Sequence, residues 1–259
     1  MIRAIRAGHL APAEALALDE AVARAGGEPA LVLWSTDPAV VVGRFQRIDW
    51  EIDAAACAAR GVGVWRRFTG GGTVYLDGGT LCAALAVPAG HPDAALAIPD
   101  LYVPLLDGIA AALTGAGIPA ERDERTVRVG GRKVTGIAAH RGGAGSMVHG
   151  TVLVRADLDA LRACVAGRRD GDLGGLPRPS PSRPDRVTNT EVDDVADRLC
   201  AVLGAEPGEL TAAEREAADE LRRTRYDDPA WHAGPWAAVT PPEVEQLLGG
   251  GRRSRRASG

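Results

Sequence analysis

A run of three glycines carries the pattern in this sequence that is best suited to bind an anion. Arg66 and Arg67 come shortly before Gly70, Gly71 and Gly72, and an extended β-branched and aromatic run follows. Three consecutive glycines remove every Cβ from a turn, so a ligand can lie directly against peptide N–H groups, which bind anionic oxygens. The two arginines add positive charge beside the turn. The pattern therefore predicts an anion site, and a flexible hairpin turn with solvated arginines is the alternative.

Lys133 is the second candidate for chemistry, and it follows another glycine pair. The segment 127–136 forms two short β runs around Gly130 and Gly131, which predicts a hairpin. The chain holds 30 lysines and arginines, and Lys133 is its only lysine. An ammonium is a compact point charge on a flexible stem, unlike the planar guanidinium that the chain uses everywhere else. We therefore predict a charge-stabilising role for Lys133; a residue left by chance on an exposed turn is the alternative.

Together these patterns resemble the family of lipoate–protein ligases and octanoyltransferases, which are relatives of the biotin–protein ligases. The resemblance extends over roughly the first 190 residues, and a near-match at 34–46 supports it. Each block is weak alone, whereas the order and spacing of all four are specific. The four blocks are Ala17-Leu-Asp-Glu-Ala21, Arg66-Arg-Phe-Thr-Gly-Gly-Gly-Thr-Val-Tyr75, Gly131-Arg-Lys133-Val-Thr-Gly136 continuing to His149-Gly150-Thr151, and Arg186-Val-Thr-Asn189.

The resemblance implies an α+β fold in which helices flank a mixed, largely antiparallel β-sheet, like that of the biotin/lipoate ligase catalytic domain. It also implies an enzyme that activates lipoate or octanoate with ATP, forms the acyl-adenylate, and transfers the acyl group to a lysine of a lipoyl domain. The cofactors would be ATP and Mg²⁺, which offsets triphosphate charge. The implied acceptors are lipoyl domains of 2-oxoacid dehydrogenase complexes or the glycine-cleavage H protein. A separate accessory-domain protein is a further candidate partner.

The resemblance also assigns roles to individual residues. Lys133 is implied as the catalytic residue, because it would contact both the acyl carbonyl and the phosphate and stabilise charge at the mixed anhydride. The residues implied to bind the nucleotide are Arg67, Gly70, Gly71, Gly72, Thr73, Val74, Tyr75 and Lys133. The residues implied to bind the acyl substrate are Arg66, Thr69, Lys133, Thr135, Gly136, His149 and Gly150. No residue is assigned to a metal ion.

Two of these positions have a structural alternative. His149 is implied to order the adenylate or the Lys133 loop, and a hydrogen-bonded structural histidine is the other interpretation. Asp19 and Glu20 match the first block. They are either functional or part of an ordinary helix face near the sheet edge.

An octanoyltransferase that uses a cysteine nucleophile and no ATP is the main alternative function. Relatives of this kind carry the thiol a few residues before the His-Gly pair or just upstream of the lysine. Here Ser146 occupies the first position, and no cysteine lies between Cys82 and Cys164. A serine lacks an accessible thiolate and needs a strong base to act as a nucleophile. The missing thiol therefore favours the ligase.

Several positions depart from the family pattern and weaken the nucleotide-binding prediction. Leu76 stands where a histidine is common, Arg125 and Thr126 stand where Asn-Asp is usual, and Val148 stands where ligases often have a second histidine. A third interpretation therefore stays open, namely a divergent acyl-binding or regulatory module that has lost turnover.

Composition argues against several other classes of protein. A net charge of −4 gives no general attraction to nucleic acid or to an anionic membrane. No run reaches the length of a membrane-spanning helix, and the first residues lack a signal-peptide layout, so we expect a cytoplasmic protein. The four cysteines stand far apart without a C-x-x-C pair, which indicates neither a zinc site nor a disulfide framework.

The chain is predicted to have three parts, a catalytic domain at 1–205, a small helical extension at 206–248 and a disordered basic tail at 249–259. Two Thr-x-x-Glu capping boxes, at Thr188 and Thr211, are predicted to begin helices. A mobile loop is predicted at 167–184, and an aromatic-bearing loop at 226–236. The pattern further predicts strands at 1–6, 30–35, 40–43, 62–65, 80–87 and 146–154, a hairpin at 125–139, and helices at 12–25, 52–60, 100–116, 157–165, 214–225 and 241–248.

Overall fold

A computed structural model describes residues 1–166, 182 and 185–249, and its centre is a six-stranded β-sheet. In this part of the chain the strands are β1 (Ile2–Leu10), β2 (Ala30–Thr36), β3 (Ala39–Val42), β4 (Gly63–Arg66), β5 (Val74–Leu76), β6 (Thr80–Pro88), β7 (Ala120–Arg122), β8 (Val127–Val129), β9 (Arg132–Lys133), β10 (Thr135–Arg141), β11 (Gly145–Leu153) and β12 (Ala205–Pro207). The α-helices are α1 (Pro12–Ala25), α2 (Ile48–Glu51), α3 (Ala54–Ala59), α4 (Ile98–Gly115), α5 (Leu158–Cys164), α6 (Val195–Leu203), α7 (Ala212–Leu221), α8 (Pro229–Ala233) and α9 (Pro242–Gly249).

The central sheet has the strand order β10-β11-β6-β2-β1-β12. The strands β10, β11, β6 and β2 pair antiparallel, whereas β1 pairs parallel with both β2 and β12. A smaller sheet, β4-β3-β5, has one parallel and one antiparallel pair, and β7-β8-β9 is antiparallel. The predicted α+β fold with a mixed, largely antiparallel sheet is confirmed.

The strand β2 shows that helices cover both faces of the central sheet. Leu31 and Leu33 lie in a core cluster with residues of α4 and α6, whereas Val32 and Trp34 lie in the cluster that contains α1. Alternate residues of a strand face opposite sides of a sheet, so a strand buried on both faces needs a continuous apolar run. This explains why the middle strands show no alternation of apolar and polar residues.

The helix α1 crosses from β1 to its parallel neighbour β2, starting at a proline and ending at a glycine as predicted. Its buried residues include two carboxylates, Asp19 and Glu20. Glu20 is fully buried, and it is bound by the Arg225 guanidinium and by the Tyr226 hydroxyl at 2.7 Å. Glu20 therefore joins α1 to the C-terminal part of the chain.

The segment after residue 205 packs closely on the sheet. The strand β12 pairs with β1 and spans the predicted boundary between 205 and 206. The predicted capping box at Thr211 is confirmed, with Glu214 as its second member, and it opens α7. Glu214 is buried and also accepts hydrogen bonds from Arg3 of β1. The division into domains stays a prediction, and these contacts join the extension to the sheet.

The start predicted for a helix at Thr188 is wrong, because α6 begins only at Val195, although the helix is present and ends at Leu203. The Thr188 N–H donates to the Lys133 carbonyl, and the Thr190 N–H donates to the Leu153 carbonyl. The Glu191 N–H, which a capping box would direct to the Thr188 hydroxyl, donates instead to the Val154 carbonyl just after β11, so the box does not form.

The loop predicted at 226–236 is also wrong, because most of this segment is helical. A π-helical turn ends at Tyr226, and α8 and a 3₁₀ turn, Gly234–Val239, follow. The buried His232 orders the segment: its Nδ1 accepts from the Arg66 N–H at 3.0 Å, and its Nε2 donates to the Tyr226 carbonyl at 2.9 Å. Its ring also packs edge-on against Trp65 of β4. Contact with β4 therefore stabilises a helical conformation that the local sequence does not predict.

Two predictions fall outside the described residues. The mobile loop at 167–184 is described only at Ser182, and the basic tail at 249–259 only at Gly249. Among the helices that are described, none has the combination of length and apolar character needed to cross a membrane.

His232 should make the stability of the protein depend on pH. Burial lowers its pKa from 6.5 to about 4, so between these values the unfolded chain binds a proton that the folded protein excludes. The contribution of neutral His232 is therefore fully present above about pH 6.5 and is lost as the pH falls to about 4. We expect a loss of roughly 3 kcal/mol over this range, measured as the free energy of unfolding in denaturant.

Two variants serve as controls for this measurement. The change His232→Asn keeps an acceptor for the Arg66 N–H and removes the titrating ring, so its stability should vary less over this range. The change His9→Asn alters an exposed histidine and should leave the pH dependence as it was. Equal pH dependence in all three proteins would contradict the assignment to His232.

Candidate active site

The glycine run lies between β4 and β5, in contact with the segment that follows β3. Of the three glycines only Gly71 has a positive φ, 81°, a conformation that favours glycine. A Cβ built on Gly43 would lie 2.2 Å from the Gly71 carbonyl oxygen. The Arg44 N–H also donates to the Thr69 carbonyl at 2.9 Å. The two segments are thus in backbone contact, which requires glycine at position 43.

Arg67 holds this turn in shape from within. Its guanidinium donates to the carbonyls of Gly70 and Gly72, both at 2.6 Å, and to the Val41 carbonyl at 3.1 Å. Its Nε donates to the Thr69 hydroxyl at 2.9 Å. Burial lowers the pKa of Arg67 to about 10, so the group stays charged at neutral pH. The predicted positive charge therefore lies beside the turn, although its hydrogen bonds go to protein atoms.

Arg66 has a different environment from the one predicted. Its guanidinium is buried, all three of its nitrogens donate to carbonyl oxygens, and it lines neither of the two cavities described next. The structure therefore gives Arg66 a structural role, and its contact with substrate stays a prediction. The accepting carbonyls, at 2.8 to 3.1 Å, are those of Gly43, Arg44, Gln46, His232 and Ala233.

An inner cavity of about 430 Å³ of empty space lies between α1 and the strands β10 and β11. Its wall is mostly apolar, like the walls of sites that bind the apolar parts of small molecules. An apolar group of a ligand therefore fits this cavity. The inner cavity is lined by Leu16, Asp19, Trp34, Val41, Arg67, Gly72, Val74, Leu76, Cys82, Gly136, Ile137, Ala138, His149, Gly150 and Thr151.

An outer cavity of about 990 Å³ of empty space adjoins the inner cavity. Three residues line both cavities, namely Val74, Gly136 and Thr151. The outer cavity is lined by Thr73, Val74, Tyr75, Lys133, Thr135, Gly136, Thr151, Leu153, Leu161, Arg162, Val165, Ala166, Ser182, Asp185 and Val187.

The two cavities form one elongated cleft that follows β11. Leu153 lines the outer cavity, Thr151 lines both, and His149 lines the inner one. These residues alternate along the strand and therefore face the same side of the sheet. At a rise of about 3.3 Å per residue, Leu153 and His149 are roughly 13 Å apart. A ligand with an apolar chain and a larger polar group at one end matches this shape.

Lys133 lies in the outer cavity, and its ammonium has no fixed partner in the described part of the chain. Asp185 is the nearest candidate, but Arg128 binds both of its carboxylate oxygens, at 2.8 and 3.2 Å. Burial lowers the pKa of Lys133. The main chain of Lys133 is held by the Arg186 carbonyl and the Thr188 N–H. The ammonium is therefore positioned by its strand and available to a ligand.

Glu51 is a buried residue of this region that sequence reasoning missed. It accepts from the hydroxyl of Thr73 at 2.9 Å, and from the N–H of Ser182 at 3.1 Å. The Ser182 hydroxyl oxygen in turn accepts from the Thr73 N–H at 2.7 Å. The first amide after the glycines is thus bound by a hydroxyl. No sequence signal identifies Glu51, because it lies in a short helix far from the motif.

Asp19 and His149 form a buried pair at the inner cavity. The carboxylate of Asp19 accepts from Trp34 Nε1 at 2.8 Å, and its second oxygen lies 3.1 Å from His149 Nδ1. His149 Nε2 lies 2.7 Å from the hydroxyl of Thr69. Because Thr69 also accepts from Arg67, hydrogen bonds connect α1 to the glycine turn.

The structure brings most of the predicted site residues to one cleft. Thr69, Gly70 and Gly71 line neither cavity, and they form the turn that is bonded to Arg67 and His149. The binding roles of all these residues stay predictions. Those that line a cavity are Arg67, Gly72, Thr73, Val74, Tyr75, Lys133, Thr135, Gly136, His149 and Gly150.

The positions that depart from the family pattern differ in their surroundings. Leu76 lines the inner cavity, where it adds apolar surface. Thr126 is buried, and its hydroxyl donates to the Thr135 carbonyl at 2.9 Å. Val148 lies on the opposite face of β11, in the core cluster with α4, and Arg125 is exposed. Of these residues, only Leu76 lines the inner or the outer cavity.

The cysteines offer little for nucleophilic chemistry. All four are buried, and only Cys82 lines a cavity, the inner one. Burial raises the pKa of the Cys82 thiol well above its usual range, so the thiol stays protonated at neutral pH. Ser146 is fully buried, and its hydroxyl donates to the Ala94 carbonyl at 2.9 Å.

The contact between Gly43 and the glycine turn should be sensitive to a single methyl group. The change Gly43→Ala places a Cβ 2.2 Å from the Gly71 oxygen and 3.2 Å from the Gly70 oxygen, so the backbone must move. We expect a loss of about 1–3 kcal/mol in the free energy of unfolding. The change Gly78→Ala is the matched control, because nothing lies within 4 Å of its Cβ. Equal stability of the two variants would show that the turn is looser than this geometry implies.

Comparison with known proteins agrees with this architecture. A family model described as lipoyl protein ligase A/B catalytic domain matches residues 11–198. An octanoyltransferase LipM from Kyrpidia tusciae is 30% identical, over 85% of this chain and 94% of its own. Lipoate-protein ligase A subunit 1 from Thermoplasma acidophilum is 27% identical, over 85% and 91%.

Solved structures support the fold. A crystal structure of lipoate-protein ligase A bound with ATP has a TM-score of 0.75 and 24% identity, and the match covers 90% of this chain and 98% of the other. At this identity the likeness shows the fold, and the ligase-like fold predicted from the sequence is confirmed. Because the family model matches well over half of the residues, the chain belongs to the lipoyl protein ligase A/B catalytic-domain family.

Proposed function

We propose that the protein is an ATP-dependent lipoate–protein ligase, which activates lipoate or octanoate as the acyl-adenylate and transfers the acyl group to a lysine of a lipoyl domain. The observation that carries the proposal is the two-part cleft, in which an apolar cavity meets a larger cavity that holds Lys133, whose ammonium has no hydrogen-bond partner among the described residues.

The inner cavity would hold the hydrocarbon chain of the acid. Its wall contains Trp34, Leu76 and Ile137, and the Asp19 carboxylate there is bonded to Trp34 and His149. Burial of the chain supplies affinity through the hydrophobic effect, at roughly 0.8 kcal/mol per methylene. The carboxylate would lie at the junction between the cavities, near Gly136 and Thr151.

The outer cavity would hold the nucleotide. Tyr75, Leu161 and Val165 offer apolar surface for a base, and the main chain of Thr73 offers an N–H to a phosphate. A phosphate oxygen would take the place of the Ser182 hydroxyl that now accepts from this N–H. No three of the described His, Cys, Asp or Glu residues converge on a metal site. A Mg²⁺ ion would therefore be bound chiefly by the triphosphate and water.

The reaction would proceed in two steps. In the first, a carboxylate oxygen of the acid bonds to the α-phosphorus of ATP, and the bond to the leaving pyrophosphate breaks. In the second, the neutral amine of the acceptor lysine attacks the acyl carbonyl, loses a proton, and displaces AMP. Both steps gather negative charge near the junction, where the Lys133 ammonium would stabilise it without rearrangement.

An octanoyltransferase is the second candidate, and the name of the relative from Kyrpidia tusciae favours it. In transferases of this kind a cysteine carries the acyl group. Cys82 is the one cysteine at either cavity, and its buried thiol with a raised pKa is a poor nucleophile. Ser146 is bonded inside the core and has no adjacent base. A binding module without turnover is the third candidate.

The proposed acceptors are lipoyl domains, of 2-oxoacid dehydrogenase complexes or of the glycine-cleavage system. The relative from Thermoplasma acidophilum is named as subunit 1 of its ligase, and the match covers 91% of its length. By this likeness we propose a separate protein as a second subunit. A cytoplasmic location stays a prediction from the sequence.

Pyrophosphate release tests the proposed reaction directly. Lipoate or octanoate with ATP and Mg²⁺ should release pyrophosphate, and biotin should not. The change Lys133→Ala should lower the rate about 10²- to 10³-fold, because it removes the group that stabilises developing charge. The change Arg132→Ala is the matched control, because it removes an exposed cation from the same hairpin. Similar rates in the two variants would show that Lys133 does not stabilise charge in the reaction.

The same preparation separates the other candidates. Transfer from an octanoylated carrier protein without ATP, abolished by Cys82→Ser, would establish the octanoyltransferase. Binding of the acid without pyrophosphate release or transfer, with or without an added accessory protein, would establish the binding module. Under the ligase proposal Cys82→Ser should retain most of the activity, since the thiol takes no part.

A further inference from the structure

A single direction of hydrogen bonding runs from the glycine turn to Asp19. The Nε of Arg67 and the Nε1 of Trp34 can only donate, and a carboxylate can only accept. Asp19 therefore accepts from Trp34, and it keeps the proton of His149 on Nδ1, 3.1 Å away. A neutral ring with its single proton on Nδ1 would accept the Thr69 hydroxyl proton at Nε2, over 2.7 Å. This leaves the Thr69 oxygen free to accept from Arg67.

We propose that Asp19 is a positioning residue for the glycine turn. Its carboxylate fixes the tautomer of His149, which orients the Thr69 hydroxyl and through it the Arg67 guanidinium that binds the carbonyls of Gly70 and Gly72. The effect on turnover rests on the proposed function. The position of the proton and the shape of the turn do not depend on that function and can be measured without it.

Packing alone does not account for Asp19. The residue is 1% exposed and lies among apolar residues of α1 and β2. Removing a carboxylate from water costs free energy that an apolar residue at this position would avoid. Both of its oxygens are aimed at donors of the inner cavity wall, and one of these leads to the glycine turn. The carboxylate is thus placed to determine which ring nitrogen of His149 carries the proton.

The same hydrogen bonds link the two halves of the cleft. His149 and Arg67 line the inner cavity, and the turn that Arg67 holds continues into Thr73, which lines the outer one. An acyl chain in the inner cavity therefore contacts the groups that set the position of the Thr73 amide. Asp19 lies at the end of this path farthest from the outer cavity.

The change Asp19→Asn tests the proposal with little change in shape. An amide offers one acceptor and one donor, so the His149 proton should move from Nδ1 to Nε2, as happens when a histidine loses the carboxylate that orients it. Nitrogen-15 NMR of the ring reports the tautomer, and the backbone amide signals of residues 70–73 report the turn. Turnover should fall about 10- to 100-fold, mainly in kcat rather than in the KM for the acid.

Three further variants make the result specific. Asp37→Asn is the matched control, since Asp37 pairs with the exposed His9 at 3.0 Å outside the cleft; it should change neither the His149 signals nor turnover. Thr69→Val breaks the next bond and should reproduce the loss, whereas Thr69→Ser keeps the hydroxyl and should not. The double variant of Asp19→Asn and Thr69→Val should be no slower than the slower single one, because both act through the same path.

An unchanged His149 tautomer in Asp19→Asn overturns the proposal, as does a changed tautomer with unchanged turn signals. If that variant does not fold, Thr69→Val carries the test, and unchanged signals of residues 70–73 in it overturn the proposal. If the unaltered protein releases no pyrophosphate, the proposed function fails by itself. The ring and amide signals then still decide whether Asp19 positions the turn.

Discussion

Two buried guanidinium groups that bind main-chain carbonyls are the constraint on which this site depends. A buried cation is costly unless its donors are all bonded. Every side-chain nitrogen of Arg66 and Arg67 donates a hydrogen bond, and neither group has a carboxylate partner among the described residues. Between them they bind carbonyls of β3, of the segment after β3, of the glycine turn and of α8. The rigid fork of a guanidinium reaches several oxygens at once, which a single ammonium does not.

These hydrogen bonds determine the shape of the glycine turn and the positions of its backbone N–H groups. The turn is held on one side by Arg67 and on the other by backbone contact with Gly43. Amides that are fixed before a ligand arrives need no reorganisation when charge develops, which is the condition for electrostatic stabilisation. The C-terminal helices take part in this, because His232 and Ala233 supply two of the carbonyls that bind Arg66. The C-terminal extension therefore helps to hold the site residues in position.

The single lysine contrasts with the arginines around it. Arg128 binds both carboxylate oxygens of Asp185, and among the described residues no hydrogen bond joins Asp185 to Lys133. Arg66, Arg67 and Arg128 donate hydrogen bonds to other groups of the protein, whereas the Lys133 side chain lines the outer cavity. The names of relatives divide between octanoyltransferase and ligase, and the fold is common to both. The octanoyltransferase reaction requires a cysteine nucleophile, whereas the ligase reaction does not. All four cysteines of this chain are buried.

The sequence by itself determined the family, the fold class and the segments that form the cleft, because glycine runs, apolar runs and a unique lysine are local patterns. It also placed the ends of α1 and the cap of α7, which depend on neighbouring residues. It could not separate Arg66 from Arg67, identify Glu51, or order the segment 226–236. Arg66 meets His232 across 166 positions and Asp19 meets His149 across 130. Such contacts exist only after the chain has folded, so the tertiary structure alone decided which charges stabilise the turn and which one faces a ligand.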